Sequence, residues 1–114
     1  MGDVLSGPRE NPRLAILMSF AEKRPQDPFP RYALAMELKT AGDGAGAWRI
    51  FEPLIGEHPD YIAAYAPAGE VLRELDRAEK AREIYAKGIE AASRRNDAHA
   101  REHLESLLAE IGVD

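Results

Sequence analysis

Residues 47–59 read AWRIFEPLIGEHP, and residues 81–93, which lie 34 positions further on, read AREIYAKGIEAAS. Both stretches begin with alanine, have an aromatic residue four positions later, and have isoleucine four positions after that. The recurrence extends outward, since Pro25 has its counterpart at Pro59. A period of this length indicates a stack of similar helical units, in which each unit covers the apolar face of its neighbour.

The repeated positions resemble the tetratricopeptide repeat, a helical hairpin of about 34 residues. The matching residues are Leu34, Ala35, Leu38, Ala47, Phe51 and Pro59 in the first copy, and Gly69, Leu72, Ala81 and Tyr85 in the second. The chain departs from the pattern at Arg31, Leu54, Tyr65, Ala68, Gly88 and Ser93. The resemblance covers roughly residues 11–111 and implies an all-α, right-handed stack of helical hairpins, a TPR-like α-solenoid. The whole chain is similar to small stand-alone bacterial proteins of this family.

Composition sets the class of protein that we expect. The chain has 114 residues, 45% of them apolar, which suits one domain with a modest core. It has no cysteine, and its net charge of −5 argues against nucleic acid as a partner. No apolar stretch approaches the ~20 residues that a transmembrane helix needs, and no signal peptide is visible. We therefore expect a cytoplasmic protein that binds neither membrane nor nucleic acid.

The turn and cap residues predict about six helices. Asn11-Pro12 and Asp27-Pro28 each read as an N-cap followed by a first helical residue. Residues 1–10 are aperiodic and are predicted to be a disordered leader. The remainder is predicted to form a single domain, 11–112, comprising a half-repeat 11–25, repeats 28–59 and 60–93, and a capping helix 97–111. The capping helix is expected to bury Ala100, Leu104, Leu107, Leu108 and Ile111.

Two prolines fall inside predicted helices. Pro53 and Pro67 would each remove a backbone hydrogen bond and clash with the preceding turn, at a cost of ~3 kcal/mol if unrelieved. One interpretation is a kink that tertiary packing tolerates. The other is that a kink at Pro67 reshapes the binding surface for a particular ligand, and the sequence leaves both open.

The segment from His99 to His103 spells H-x-x-E-H, the inverted zinc-peptidase signature. A catalytic zinc needs a third protein ligand, and only 11 residues follow His103. We expect His99 and Glu102 on a solvated face and His103 half-buried, with no metal, cofactor or catalytic site. A metal-dependent hydrolase using His99, Glu102 and His103 is the distant alternative.

The family resemblance implies a binding surface. In tetratricopeptide proteins the first helix of each hairpin lines a concave groove that holds peptides. Position by position, the carried-over residues are Phe29, Tyr32, Met36 and Lys39 from the first hairpin, and Ala63, Ala66, Glu70 and Arg73 from the second. The family's dicarboxylate clamp has Lys and Asn where Tyr32 and Met36 stand, so recognition of a chaperone C-terminus is not implied. The predicted function is a non-enzymatic adaptor that binds a protein or peptide partner in this groove.

The sequence is also compatible with three alternatives to an open groove. The terminal helices could cover Tyr32 and Met36, which would fill the groove. An exposed Trp48 on the convex side could serve as the interface anchor instead. The exposed ends of the stack could also bury each other in a homodimer, which would make the protein a self-associating structural module.

Overall fold

Six α-helices and one 3-10 turn build the part of the chain that this computed structural model describes, residues 11–112. The elements are α1 (Pro12–Lys23), α2 (Pro28–Thr40), α3 (Gly44–Glu57), the 3-10 turn (Ile62–Ala64), α4 (Tyr65–Glu74), α5 (Ala78–Arg94) and α6 (Ala98–Ile111). The all-α, six-helix prediction is confirmed. The predicted leader, residues 1–10, lies outside the described residues.

Short polar side chains fix where four of the helices begin. Each accepts a hydrogen bond from a backbone N–H of the first turn that has no partner within the helix. At α3, for example, Asp43 Oδ1 accepts from the Gly46 N–H at 2.8 Å. The residues that do so are Asn11, Asp27, Asp43 and Asp97. The caps at Asn11 and Asp27 are those that the sequence predicts.

The turns that end α2 and α4 repeat the 34-residue period in backbone geometry. Gly42 has φ of 89° and Asp76, its counterpart, has φ of 65°. The N–H after each donates back to a leucine carbonyl, from Asp43 to Leu38 at 2.9 Å and from Arg77 to Leu72 at 2.8 Å. A left-handed residue with this bond closes a helix by satisfying its last carbonyls. The same helix-ending turn therefore occurs at two equivalent positions of the repeat.

Consecutive helices pack against each other, which gives two layers. The first helices of the hairpins, α2, α4 and α6, form one layer, and α1, α3 and α5 form the other. The core lies between the layers and is centred on the repeated alanine and aromatic positions. Ala47, Phe51, Ala81 and Tyr85 are all completely buried. The step that identifies the repeat in the sequence is thus the step that fills the core.

Close approach between helices requires glycine at one of these positions. The Tyr85 ring packs directly on Gly69 of α4, where an added Cβ would lie 2.1 Å from Tyr85 Cε1. Gly69 and Tyr85 both belong to the repeat pattern, so this contact explains their pairing in the sequence. A side chain at position 69 would force the two helices apart.

The fourth helix begins later than the sequence suggests. The repeat predicted to begin at residue 60 opens with a 3-10 turn, and its first α-helix starts only at Tyr65. Pro67 is consequently the third residue of α4, where its missing N–H would have had no helical partner. The prediction that Pro67 interrupts a helix is therefore wrong. The interpretation in which a kink at Pro67 shapes the groove is wrong for the same reason. Pro53 does lie inside α3, on its exposed side.

The last helix closes one end of the stack by packing mainly on α5. Leu104 and Leu107 are buried, as expected. The other apolar residues of its stripe are half-buried rather than buried: Ala100, Leu108 and Ile111. Within residues 11–112, no helix combines the length and the apolar character needed to cross a bilayer.

Candidate interaction groove

Helix α2 carries the three predicted groove residues that are large and apolar. Phe29 stands at its first turn and is 58% exposed. Tyr32 and Met36 follow at helical spacing and are half-buried, with their inner sides against the core. Neither is fully buried, so both keep part of their surface exposed. This layer therefore presents apolar side chains to solvent.

Three aromatic rings join into one continuous surface, which we call the aromatic ledge: Phe29, Tyr32 and Tyr61. The ring centroids of Phe29 and Tyr32 are 6.3 Å apart with the planes tilted by 38°. Those of Tyr32 and Tyr61 are 5.5 Å apart with a tilt of 59°. Tilted rings at these separations attract one another. The ledge is therefore a preformed surface rather than three independent side chains.

Sequence reasoning missed Tyr61. It lies in the connection between α3 and the 3-10 turn, outside the first-helix positions that the family pattern assigns to the groove. Its side chain reaches Tyr32 because the turn, not a helical period, sets its direction. An aromatic residue directly after the Pro59-Asp60 turn is the only sequence signal that could have indicated it.

A carboxylate lies beside the ledge. Burial raises the pKa of Tyr61 above its usual value, and the neighbouring Tyr32 and Asp27 raise that pKa further. Asp27 is the N-cap of α2, where its Oδ1 accepts from the Phe29 N–H at 3.0 Å. The cap thus fixes a negative charge within the electrostatic reach of the aromatic surface.

The charged residues predicted for the groove bind each other across the helices. Lys39 Nζ of α2 lies 3.1 Å from Glu70 Oε1 of α4. Arg73 Nη1 of α4 lies 3.2 Å from Glu110 Oε1 of α6. These partly exposed pairs join the three first helices, and each is worth at most about 1 kcal/mol. Arg73, which the family pattern assigns to the binding surface, is therefore already paired with a residue of this chain.

Arg73 also reaches towards the core. Burial raises the pKa of the Tyr85 hydroxyl, and the nearby guanidinium of Arg73 partly offsets this by lowering that pKa. The hydrogen bond to Glu110 is the main reason that the pKa of Arg73 itself is raised.

Next to Arg73 is a shallow cavity of about 310 Å³ lined by Glu70, Arg73 and Glu74. The two predicted alanines complete the α4 side, with Ala63 exposed and Ala66 half-buried.

Solved structures with a similar arrangement of helices are known. Neither a protein-family model nor a curated protein matches the chain. The solution NMR structure of a tetratricopeptide repeat domain protein from Salinibacter ruber is 34% identical, with a TM-score of 0.72 over 77% of this chain and 89% of that one. The crystal structure of a tetratricopeptide repeat domain protein from Salinibacter ruber is 33% identical, with a TM-score of 0.73 over 78% of this chain and 100% of that one. This chain belongs to the tetratricopeptide repeat family.

A cavity of about 490 Å³ lies between α3 and α5, on the convex side of this tetratricopeptide stack. Its apolar lining includes Trp48, Ile55 and Ile84, and charged side chains such as Glu52 and Lys87 also border it. Trp48 is only 6% exposed, so it is a core residue. The alternative in which an exposed Trp48 anchors the partner is wrong.

The histidines of α6 lie on an exposed helix face. His99, Glu102 and His103 are all exposed, and the expectation that His103 is half-buried is wrong. No group of three or more His, Cys, Asp or Glu side chains in residues 11–112 is placed to hold a metal ion. A zinc peptidase holds its metal with three protein ligands. The motif in this tetratricopeptide protein is therefore read as a solvated helix face.

Proposed function

We propose that this protein is a non-enzymatic interaction module that binds a peptide or protein segment in the groove lined by α2, α4 and α6. The observation that carries the proposal is the aromatic ledge, which is preformed and faces solvent in the free protein. Large aromatic side chains are the commonest interface anchors, since they bury much area for little lost conformational freedom. The fold supports the same class of function, because tetratricopeptide repeats commonly mediate protein binding.

Within this groove, the aromatic ledge is a better candidate for anchoring a partner than the charged residues are. Lys39, Glu70 and Arg73 already have partners of opposite charge, and a ligand would have to displace them. Phe29 and Tyr32 lose only water when they are covered, which is favourable for apolar surface. Met36 lies one turn beyond Tyr32 on the same helix and extends the apolar patch with an adaptable side chain.

The test replaces the anchors and keeps the fold. A Phe29→Ser and Tyr32→Ala double variant is expected to lose the proteins captured by the wild-type chain from its native cell lysate, with unchanged helicity. Phe20→Ser is the matched control, because Phe20 is 46% exposed but lies on α1, away from the groove. Quantitative mass spectrometry compares the three baits. If the double variant captures the same proteins as the wild type, the groove is not the working surface.

A second candidate function is self-association through the open end at α1. Phe20 is 46% exposed, whereas Leu54, its counterpart 34 residues later, is completely buried. The difference arises because α2 covers α3, while no first helix among the described residues precedes α1. Sedimentation velocity tests this candidate. A dimer that Phe20→Ser dissociates would support it, and a monomer at the highest soluble concentration would contradict it.

A cytoplasmic location and partners other than nucleic acid belong to the same proposal. They are supported by the absence of cysteine and by the net charge of −5. The two solved relatives come from a bacterium, and a bacterial adaptor is the corresponding proposal for this chain.

A further inference from the structure

We infer that the groove selects a basic segment, one in which arginine or lysine stands next to apolar residues. The inference rests on the proposed groove function and adds the chemistry of the partner to it. It is carried by two features of the surface, the charge left over after internal pairing and the carboxylate beside the aromatic ledge.

The groove has more carboxylates than cations. The two cations predicted to line it, Lys39 and Arg73, are matched by glutamates at 3.1 and 3.2 Å, respectively. Two further carboxylates border the same surface: Asp27 beside the ledge, and Glu74 in the cavity with Glu70 and Arg73. Asp27 and Glu74 form no ion pair with another residue of 11–112. The surface therefore carries surplus negative charge, of the same sign as the whole chain.

The ledge offers a basic side chain two kinds of contact at one place. A guanidinium or ammonium group is attracted to the face of a tyrosine or phenylalanine ring. The same group forms a charge-assisted hydrogen bond when a carboxylate is within reach. The ledge supplies the rings, and Asp27 supplies the carboxylate beside them, since its Oδ1 accepts from the Phe29 N–H at 3.0 Å. The apolar neighbours of the basic residue would then cover Phe29 and Tyr32.

An acidic segment would meet the opposite situation. It would have to take Lys39 or Arg73 away from its glutamate, which would leave that glutamate without a partner beside the incoming negative charge. Like charges placed together reject a partner even where shape fits. The charges of the groove thus disfavour acidic ligands and favour basic ones.

Selection from a displayed library of random 12-residue peptides tests the inference without knowledge of the natural partner. The wild-type chain is the bait, and Phe29→Ser is the counter-bait that removes binders from other surfaces. We expect the retained peptides to be enriched in arginine or lysine next to apolar residues. One retained peptide is then synthesised and titrated against charge variants.

The charge variant is Asp27→Asn with Glu74→Gln. Asparagine is as good an N-cap as aspartate, so α2 keeps its start while the charge is lost. We expect the synthesised peptide to bind roughly three- to tenfold more weakly, and with less dependence on salt. Glu22→Gln with Glu52→Gln is the control, since it removes two charges from exposed positions on α1 and α3 and is expected to leave the affinity unchanged.

The possible outcomes distinguish failure of the inference from failure of the proposed function. Basic peptides that weaken only with the groove variant support the inference. Acidic or uncharged peptides that Phe29→Ser no longer binds overturn it but leave the groove function standing. An equal loss in both charge variants overturns it as well, because the effect then belongs to net charge. If no peptide is retained after the counter-selection with Phe29→Ser, both the inference and the proposed function fail.

Discussion

Two helical glycines differ in what surrounds them, and this difference sets opposite expectations. A Cβ on Gly69 would meet the Tyr85 ring at 2.1 Å, whereas a Cβ on Gly56 would meet nothing within 4 Å. Gly69→Ala is therefore expected to lower the free energy of unfolding by about 1–3 kcal/mol through overpacking. Gly56→Ala is expected to raise it by about 0.5–1 kcal/mol, because alanine loses less backbone freedom in a helix. Urea denaturation measures both, and the same sign for the two variants would contradict the described packing.

Trp48 is the only tryptophan in the chain, so its fluorescence reports on one site. Since it is 6% exposed between α3 and α5, we expect a blue-shifted emission that a soluble quencher reaches poorly. The signal should also stay unchanged when a groove ligand is added. A red-shifted emission that moves to the blue with ligand would place the interface on the convex face instead.

At the scale of single helices, the two internal prolines provide a matched pair. Pro53 lies exposed inside α3, where it costs a backbone hydrogen bond and contributes little packing. Pro53→Ala is expected to raise the free energy of unfolding by about 1–3 kcal/mol. Pro67 occupies the first turn of α4 and is buried, so Pro67→Ala should bring no gain. Thermal denaturation compares them, and a larger gain at Pro67 would contradict the observed start of α4.

The sequence predicts most helix boundaries because the caps and turns are local. Asn11 and Asp27 act within one turn of themselves, and the left-handed residues at Gly42 and Asp76 close helices at equivalent positions. The start of α4 was missed because a 3-10 turn of only three residues is too short to show a period of its own. Tyr65, the first residue of α4, also contacts the preceding turn, because its hydroxyl donates a hydrogen bond to the Pro59 carbonyl.

The groove could be predicted only in part, for a similar reason. The family pattern assigns residues along α2 and α4, and Tyr32 and Met36 do lie at the solvent edge of that layer. It does not assign Tyr61, whose position depends on the turn after α3. It also cannot show that Lys39 and Arg73 are paired, because their glutamates come from different helices.

For the whole molecule, the two ends of the stack differ in polarity. The exposed face of α6 carries Glu102, His103 and Glu105, which suits a capping helix that meets water. The exposed face of α1 instead carries Ile16 and Phe20. Any self-association is therefore expected at the α1 end, while the groove between the ends remains free for a different partner.

The central claim is that the first-helix layer, and not the convex cleft, is the binding surface. Chemical-shift mapping on isotope-labelled protein, with a peptide selected on the wild-type chain without counter-selection, tests it most directly. We expect the largest changes at Phe29, Tyr32 and Tyr61, with the indole N–H of Trp48 unmoved. Largest changes at Trp48 and Ile84, in the cleft between α3 and α5, would contradict it.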